Sequence, residues 1–309
     1  MKLNRRSFLK IAGATGAAGM LARPAAASAS EAGGVPGENE RSMLVDTTLC
    51  AGCRACEAAC SEANHNPAPP EGDAVFDAPR EPSPDAFTVV NRGPNAHDGT
   101  PRFAKKQCMH CVSPACASAC PIKGIEKQPE GPVTYRPERC MGCRYCMIAC
   151  PFGVPKYSYN ELAPRVRKCT FCFERQKEGK LPACGEVCPT GALTFGYRGE
   201  LLELAKTRIY SNPGKYHPHI YGENEAGGTN WLYITDVPVE KLGLPGGIEK
   251  SSYPDLISGA LSVPPFVMTL WPPLLMGLYV FANGRHKEHG EHGDDHGNGN
   301  AHGKEDRHG

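Results

Sequence analysis

A run of four cysteines, Cys140, Cys143, Cys146 and Cys150, followed by Pro151, constrains this chain more than any other feature. The first three are spaced so that one tight loop can wrap three corners of a cubane 4Fe-4S cluster. The fourth lies beyond that loop and points elsewhere, toward a second cluster, and Pro151 fixes φ where the chain must change direction. One such run therefore predicts a partner run elsewhere in the chain.

All 16 cysteines of the 309-residue chain fall into four groups of four. Each group begins with a C-x2-C pair and ends with a C-x3-C pair, and proline follows every group except the first. The groups are Cys50/Cys53/Cys56/Cys60, Cys108/Cys111/Cys116/Cys120, Cys140/Cys143/Cys146/Cys150 and Cys169/Cys172/Cys184/Cys188. The three-cysteine runs and C-x3-C-P endings disfavour zinc ribbons and disulfides. The sequence therefore predicts four 4Fe-4S clusters, and His110 is not expected to be a ligand.

The cysteine groups and their flanks resemble those of bacterial ferredoxins. Short strands are predicted before the first and third groups and after the second and fourth, and in ferredoxins such strands pair across a module. The resemblance implies an α+β fold over 42–198, built from two interleaved ferredoxin-like dicluster modules with loop-rich insertions. The inner module covers 104–157, and the outer module joins 50–60 to 169–198. The run at 140–150 would then be a middle link.

The ferredoxin resemblance also implies that the last cysteine of each run ligates the cluster of its partner run. The predicted ligand sets are Cys50/Cys53/Cys56/Cys188, Cys169/Cys172/Cys184/Cys60, Cys108/Cys111/Cys116/Cys150 and Cys140/Cys143/Cys146/Cys120. The formal charge of +1 gives no reason to expect a nucleic-acid partner.

Residues 1–29 have the features of an export signal. Arg5 and Arg6 precede an apolar, Gly/Ala-rich stretch, and small residues around Ala27 offer cleavage sites. The segment resembles a twin-arginine signal, with Asn4 where that family more often has Ser or Thr. Twin-arginine export carries folded proteins, so clusters could be assembled in the reducing cytoplasm before the protein reaches the periplasm. A basic anchor helix is the alternative.

The part of the chain that follows the cysteine groups is predicted as three segments. Residues 199–250 form an extension with a short helix and an added strand, in which His217 and His219 are interpreted as structural. Residues 256–282 carry no formal charge and exceed the roughly 20 residues that span a bilayer. A transmembrane helix is predicted there, with a buried or interfacial segment as the alternative. The His-rich tail 285–309 is predicted to be disordered, with metal binding left open.

Further segments extend the resemblance beyond ferredoxins. Residues 105–111 (KKQCMHC) and 143–156 (CRYCMIACPFGVPK) look like those of the four-cluster electron-transfer subunits of membrane-bound respiratory enzymes. Residues 216–223 (YHPHIYGE) and 227–229 (GGT) narrow the resemblance to the HybA-type subunits of periplasm-facing nickel–iron hydrogenases.

The resemblance implies a non-catalytic subunit on the periplasmic side of the cytoplasmic membrane, anchored by its C-terminal helix. It would relay electrons between a catalytic hydrogenase subunit and a quinone-reactive membrane subunit. The same relay in a formate dehydrogenase or another molybdenum enzyme is the main alternative. A metal-delivery or maturation factor is a more remote one.

Overall fold

The computed structural model describes residues 35–96, 98–161 and 165–288. The twin-arginine signal predicted over 1–29 and most of the predicted His-rich tail therefore lie outside the described residues. In chain order, the elements are β1 (Arg41–Asp46), α1 (Ala55–Ala63), β2 (Val89–Asn95), β3 (Pro101–Lys106), α2 (Ala115–Ser118), β4 (Ile125–Lys127), β5 (Val133–Tyr135), α3 (Tyr145–Ala149), β6 (Lys156–Tyr157), β7 (Val166–Arg167), α4 (Phe173–Lys177), α5 (Ala183–Glu186), β8 (Leu193–Tyr197), α6 (Arg198–Ser211), β9 (Trp231–Ile234) and α7 (Tyr253–Glu288).

A three-stranded sheet of order β8-β1-β9 forms the centre of the protein. β1 pairs with β8 in antiparallel fashion, with Met43 opposite Phe195. It pairs with β9 in parallel, with Met43 opposite Trp231. The β1–β8 pair joins the strand before the first cysteine group to the strand after the fourth, which is the pairing that the ferredoxin resemblance implied. β9 is the strand predicted in the extension.

A second, smaller pair of strands joins the other two cysteine groups. β4 and β5 pair antiparallel, with Ile125 opposite Tyr135. Ile125, Val133 and Val166 pack in one apolar cluster together with Cys116 and Cys146. Burial of these side chains places two cysteine groups against the same small hydrophobic core.

The insertion between the first two cysteine groups (61–107) and the extension both contact the central sheet. β2 and β3 form an antiparallel hairpin within the insertion. The hydroxyl of Tyr233 in β9 donates a hydrogen bond to the backbone oxygen of Lys105 in β3 at 2.8 Å. In the extension, Leu201 of α6 and Leu232 of β9 pack in one buried cluster with Leu44 of β1. The buried guanidinium of Arg198 donates hydrogen bonds to the backbone oxygens of Thr229 (3.0 Å), Glu223 and Pro36 (both 2.7 Å). Because an arginine offers five donors, one side chain fastens several loops.

The C-terminal segment 256–282 lies within α7, which contains Pro264, Pro265, Pro272 and Pro273. Among the described residues, no helix has the length and apolar character needed to cross a membrane. The predicted transmembrane helix is therefore not found. The prediction rested on the absence of charge, whereas two proline pairs and the intervening Ser, Thr and Gly residues interrupt the apolar run.

Candidate iron–sulfur centres

Two cavities in the structure are each lined by four cysteines, three from one run and the last cysteine of another. Site A is lined by Cys50, Cys53, Cys56 and Cys188. Site D is lined by Cys140, Cys143, Cys146 and Cys120. Both combinations are among the predicted ligand sets; iron ligation by these sets stays a prediction.

The other eight cysteines lie in two further groupings, which are more deeply buried. We name the grouping Cys60/Cys169/Cys172/Cys184 site B and the grouping Cys108/Cys111/Cys116/Cys150 site C. Burial, followed by the three other thiols of site C, raises the pKa of Cys111. In site B, burial and then the thiol of Cys60 raise the pKa of Cys169. These effects agree with the packing, because Cys60, Cys169 and Cys184 of site B lie in one apolar cluster with Cys108 of site C.

The four sites form a row in the order A, B, C and D. The pKa of Cys56 in site A is raised by burial and further by a thiol of site B. That of Cys169 in site B is raised by burial and further by a thiol of site C. That of Cys116 in site C is raised by burial and further by a thiol of site D. The packing agrees with this order. Cys56 of site A packs against the apolar cluster that contains cysteines of sites B and C. Cys116 of site C packs in another cluster with Cys146 of site D.

The run at 140–150 is predicted as a middle link, and the structure corrects this. Its first three cysteines belong to site D, at one end of the row, where Cys143 is exposed. Cys53 is exposed at the other end, in site A. The two modules lie side by side, so each contributes one terminal and one central site, and neither encloses the other.

The loops that carry the cysteines owe their tight curvature to residues in the left-handed region. Gly52 (φ 69°) and Arg54 (φ 61°) lie between cysteines of site A, and Gly142 (φ 75°) and Arg144 (φ 61°) take the same places in site D. A Cβ atom on Gly52 would lie 2.6 Å from the ring of Phe103, so a larger residue cannot replace it without movement. The two loops thus repeat one backbone pattern.

The chemistry of the cysteines fits an iron–sulfur cluster. Burial raises the pKa of Cys56, Cys60 and Cys116 to about 12 in each case. A thiolate ligand at such a position requires a nearby positive charge, and coordinated metal supplies it.

Comparison with known families supports the same chemistry. The family described as a 4Fe-4S dicluster domain matches residues 100–198. The family of twin-arginine translocation pathway signal sequences matches residues 2–22, so the predicted export signal is confirmed.

Individual relatives are similar over most of the chain. A protein of Nitratidesulfovibrio vulgaris is 45% identical, covering 92% of this chain and 78% of the relative. The hydrogenase-2 operon protein HybA of Escherichia coli O157:H7 is 37% identical, covering 95% of this chain and 99% of the relative. The chain belongs to the HybA family. The iron–sulfur subunit of the nitrate-inducible formate dehydrogenase of Escherichia coli K12 is 36% identical, over 72% of this chain and 78% of that subunit. The HybA-type resemblance is thus confirmed, and this HybA-family protein binds 4Fe-4S clusters.

Two buried lysines lie among the cysteines of this HybA-family protein. Lys105 and Lys168 are each only 3% exposed. The ammonium group of Lys168 donates hydrogen bonds to the backbone oxygens of Val133 and Cys169, and its charge lowers the pKa of Cys116 against the larger effect of burial. From the sequence, Lys105 is visible only as part of the KKQCMHC segment, and Lys168 is not singled out. A lysine shortly before each of these two C-x2-C pairs is the signal that could have found them.

His110 is fully buried. Its Nδ1 atom accepts a hydrogen bond from the backbone N–H of Val133 at 2.9 Å, so the proton of the neutral ring is on Nε2. Burial and the charges of Lys168 and Lys127 lower the pKa of His110, which keeps the ring neutral.

The histidine pair of the extension is held by hydrogen bonds. The Nε2 atom of His219 lies 2.8 Å from Oε1 of Glu225. The other carboxylate oxygen of Glu225 accepts a hydrogen bond from the backbone N–H of Gly222 at 2.6 Å. The backbone N–H of His217 donates to the backbone oxygen of Thr235 at 2.7 Å. The side-chain contact of His219 is what a structural role requires, and the interpretation of His217 stays a prediction.

Proposed function

We propose that this HybA-family protein is the non-catalytic electron-relay subunit of an exported oxidoreductase complex, and that the catalytic subunit is a nickel–iron hydrogenase. The observation that carries the proposal is the continuous row of sites A to D. Every cysteine of the chain belongs to one of the four sites, and neighbouring sites are close enough to influence each other's thiols.

Each 4Fe-4S cluster, when bound, can accept and release one electron. The chain's own residues would hold the clusters in order, with the cysteines of the two central sites more buried than those at the ends. Burial is the largest cause of the raised pKa of Cys169 in site B and of Cys111 in site C. Site A and site D each include an exposed cysteine, Cys53 and Cys143. Electrons would therefore enter and leave at the two ends of the row, where partner subunits can approach.

The surface around site D suits contact with a partner. Met141, Tyr145 and Ile148 project from the cysteine run and are 66%, 59% and 83% exposed, respectively. Exposed apolar and aromatic residues of this kind are typical of protein interfaces. The proposed partners are the catalytic subunit at one end and a quinone-reactive membrane subunit at the other. A row of clusters could carry electrons in either direction.

A formate dehydrogenase is the second candidate for the catalytic partner. The similarity to a formate dehydrogenase iron–sulfur subunit covers 72% of this chain. The similarity to HybA covers 95% of this chain at nearly the same identity. The added coverage favours the hydrogenase.

The test is anaerobic purification of the native complex followed by metal, sulfide and subunit analysis. Four clusters predict roughly 16 iron and 16 sulfide per copy of this chain. A nickel-containing large subunit in the same complex would support the hydrogenase, and a molybdenum-containing one would move the relay to a formate dehydrogenase. A chain that carries only a few labile zinc or nickel ions would contradict the relay and support metal delivery.

A further inference from the structure

Lys105 is a buried cation without a carboxylate partner. It lies near the end of β3, and its side chain is only 3% exposed. Its Nζ atom lies 3.0 Å from Oε1 of Gln107 and 4.4 Å from the ring centroid of Trp231. In the described part of the chain, the salt bridges include none to Lys105. Arg54, near the same cavity, differs because Glu57 pairs with it at 3.0 Å.

Burial of an ammonium group without a counter-charge is strongly unfavourable. An amide oxygen and an aromatic face compensate for only part of the lost hydration. The fold nevertheless holds this side chain in place. Gln107 donates a hydrogen bond from Nε2 to the hydroxyl of Tyr233 at 2.6 Å, and that hydroxyl donates to the backbone oxygen of Lys105 at 2.8 Å. Tyr233 of β9 thus holds the backbone of Lys105 against the central sheet.

Two cysteine sites supply the negative counter-charge for Lys105. Lys105 lines the cavity of site A together with Cys56 and Cys188. Burial by itself would lower the pKa of Lys105, but the thiolates of Cys184 in site B and Cys56 in site A outweigh this effect and raise it. The same lysine lowers the pKa of Cys60 and Cys169 against the larger effect of burial. The packing gives the same placement. Lys105 lines the cavity of site A, and the ring of Trp231, 4.4 Å from its Nζ atom, lies 5.5 Å from the ring of Phe171, which is between Cys169 and Cys172 of site B. Lys105 therefore lies between sites A and B.

We propose that Lys105 is the shared counter-cation of the clusters in sites A and B and raises the reduction potentials of both. The inference rests on the proposed relay function and its ligand sets. When one electron passes from a neighbouring donor to either cluster, the donor is oxidised and the acceptor gains negative charge. Lys105 keeps its proton throughout. Its positive charge favours the reduced form of either cluster, because opposite charges attract strongly in a buried environment.

The test is a mediated redox titration of the purified complex, followed by electron paramagnetic resonance. Replacement Lys105→Met removes the charge and is expected to lower the potentials of the clusters in sites A and B. A tenfold change in each reduction equilibrium corresponds to about 59 mV for one electron, and a shift of at least about this size is expected. Lys105→Arg keeps the charge and should restore potentials near those of the native protein.

The matched control is Lys106→Met, on the same strand. Lys106 pairs with the exposed Glu81 at 2.5 Å, so its removal should leave all four potentials unchanged. If Lys105→Met does not load its clusters, Gln107→Glu provides the same test. The new carboxylate would neutralise Lys105 in place and should lower the same two potentials.

Unchanged potentials in a charge-neutralised variant with its full iron content would overturn the proposal for Lys105, while the relay itself would stand. Equal shifts in the Lys106→Met control, or shifts confined to sites C and D, would also overturn it. A failure of the relay function would look different, because the native complex would then lack the expected iron content.

Discussion

The imidazole ring of His110 stacks on the phenyl ring of Phe171, with centroids 5.0 Å apart and planes inclined by 28°. His110 lies within the C-x2-C pair of site C, and Phe171 lies within the C-x2-C pair of site B. Both residues have a positive φ, 46° and 57°, and both are buried. Equivalent positions of two cysteine loops thus meet at the junction of the two modules, between the central sites of the row.

Replacement His110→Ala is expected to destabilise this junction. It leaves the buried N–H of Val133 without its acceptor, which costs about 1–3 kcal/mol, and it opens a cavity against Phe171. Chemical unfolding of the holo protein should therefore show a lower free energy of unfolding. His110→Asn offers a carbonyl oxygen as a replacement acceptor, so it should lose less stability. An alanine variant as stable as the native protein would mean that the stack does not hold the modules together.

Replacement Glu57→Gln is expected to loosen the insertion from the first cysteine helix. The Glu57 carboxylate accepts hydrogen bonds from Arg54 at 3.0 Å, from Arg80 at 2.5 Å and from the backbone N–H of Val90 at 2.5 Å. Removal of the Glu57 charge leaves the charges of Arg54 and Arg80 without their partner. The free energy of unfolding is therefore expected to fall by about 3 kcal/mol. Glu62→Gln, at an exposed position of the same helix, should change stability by less than about 0.5 kcal/mol. Comparable losses in both variants would refute the specific role of Glu57.

The contribution of Glu57 should also depend on pH. Burial opposes ionisation of this carboxyl, but the hydrogen bonds from Arg80 and Arg54 outweigh it and hold its pKa below 4.5. The unfolded chain therefore takes up the proton first as pH falls. The stability difference between the native protein and Glu57→Gln should be fully present above about pH 4.5 and shrink at lower pH. Unfolding measured across this range checks the prediction, which a constant difference would contradict.

The crossing of ligands between runs can be tested with three serine variants. Cys150 follows the run of site D in sequence, but in the structure it lies with Cys108, Cys111 and Cys116 in site C. Cys150→Ser should therefore change the same electron paramagnetic resonance signal as Cys111→Ser. Cys150→Ser should leave unaltered the signal that Cys143→Ser changes. A Cys150→Ser spectrum that matches that of Cys143→Ser would contradict the crossing.

Cysteine spacing predicts much of the fold, because each group of cysteines shapes its own loop and such a group occurs four times in the chain. The cysteine groups and their flanks resemble those of ferredoxins, and that resemblance implied the pairing of β1 with β8 and of β4 with β5. The parallel pairing of β9 with β1, and the order of the sites in the row, could not be predicted in this way. Both depend on contacts between segments far apart in the chain, as with Met43 and Trp231.

Side chains buried against their usual preference were the hardest to predict. Lysine is normally exposed, so sequence patterns give no reason to place Lys105 among cysteines. The burial of Lys105 becomes understandable only when β3, β9 and site A are seen together. For the segment 256–282, sequence composition was misleading in the opposite direction. Its lack of charge favoured a transmembrane helix, which is not found among the described residues.

The relay claim is tested most directly by comparing two electron acceptors in a complex that carries Cys188→Ser. Cys188 lines site A with Cys50, Cys53 and Cys56, so its loss should interrupt the row at one end. The measurement is hydrogen oxidation with an artificial dye and, separately, with a quinone. Dye reduction should persist, because dyes can take electrons directly from the catalytic subunit, whereas quinone reduction should fall by about tenfold or more. Equal loss of both activities, or full retention of both, would contradict the relay.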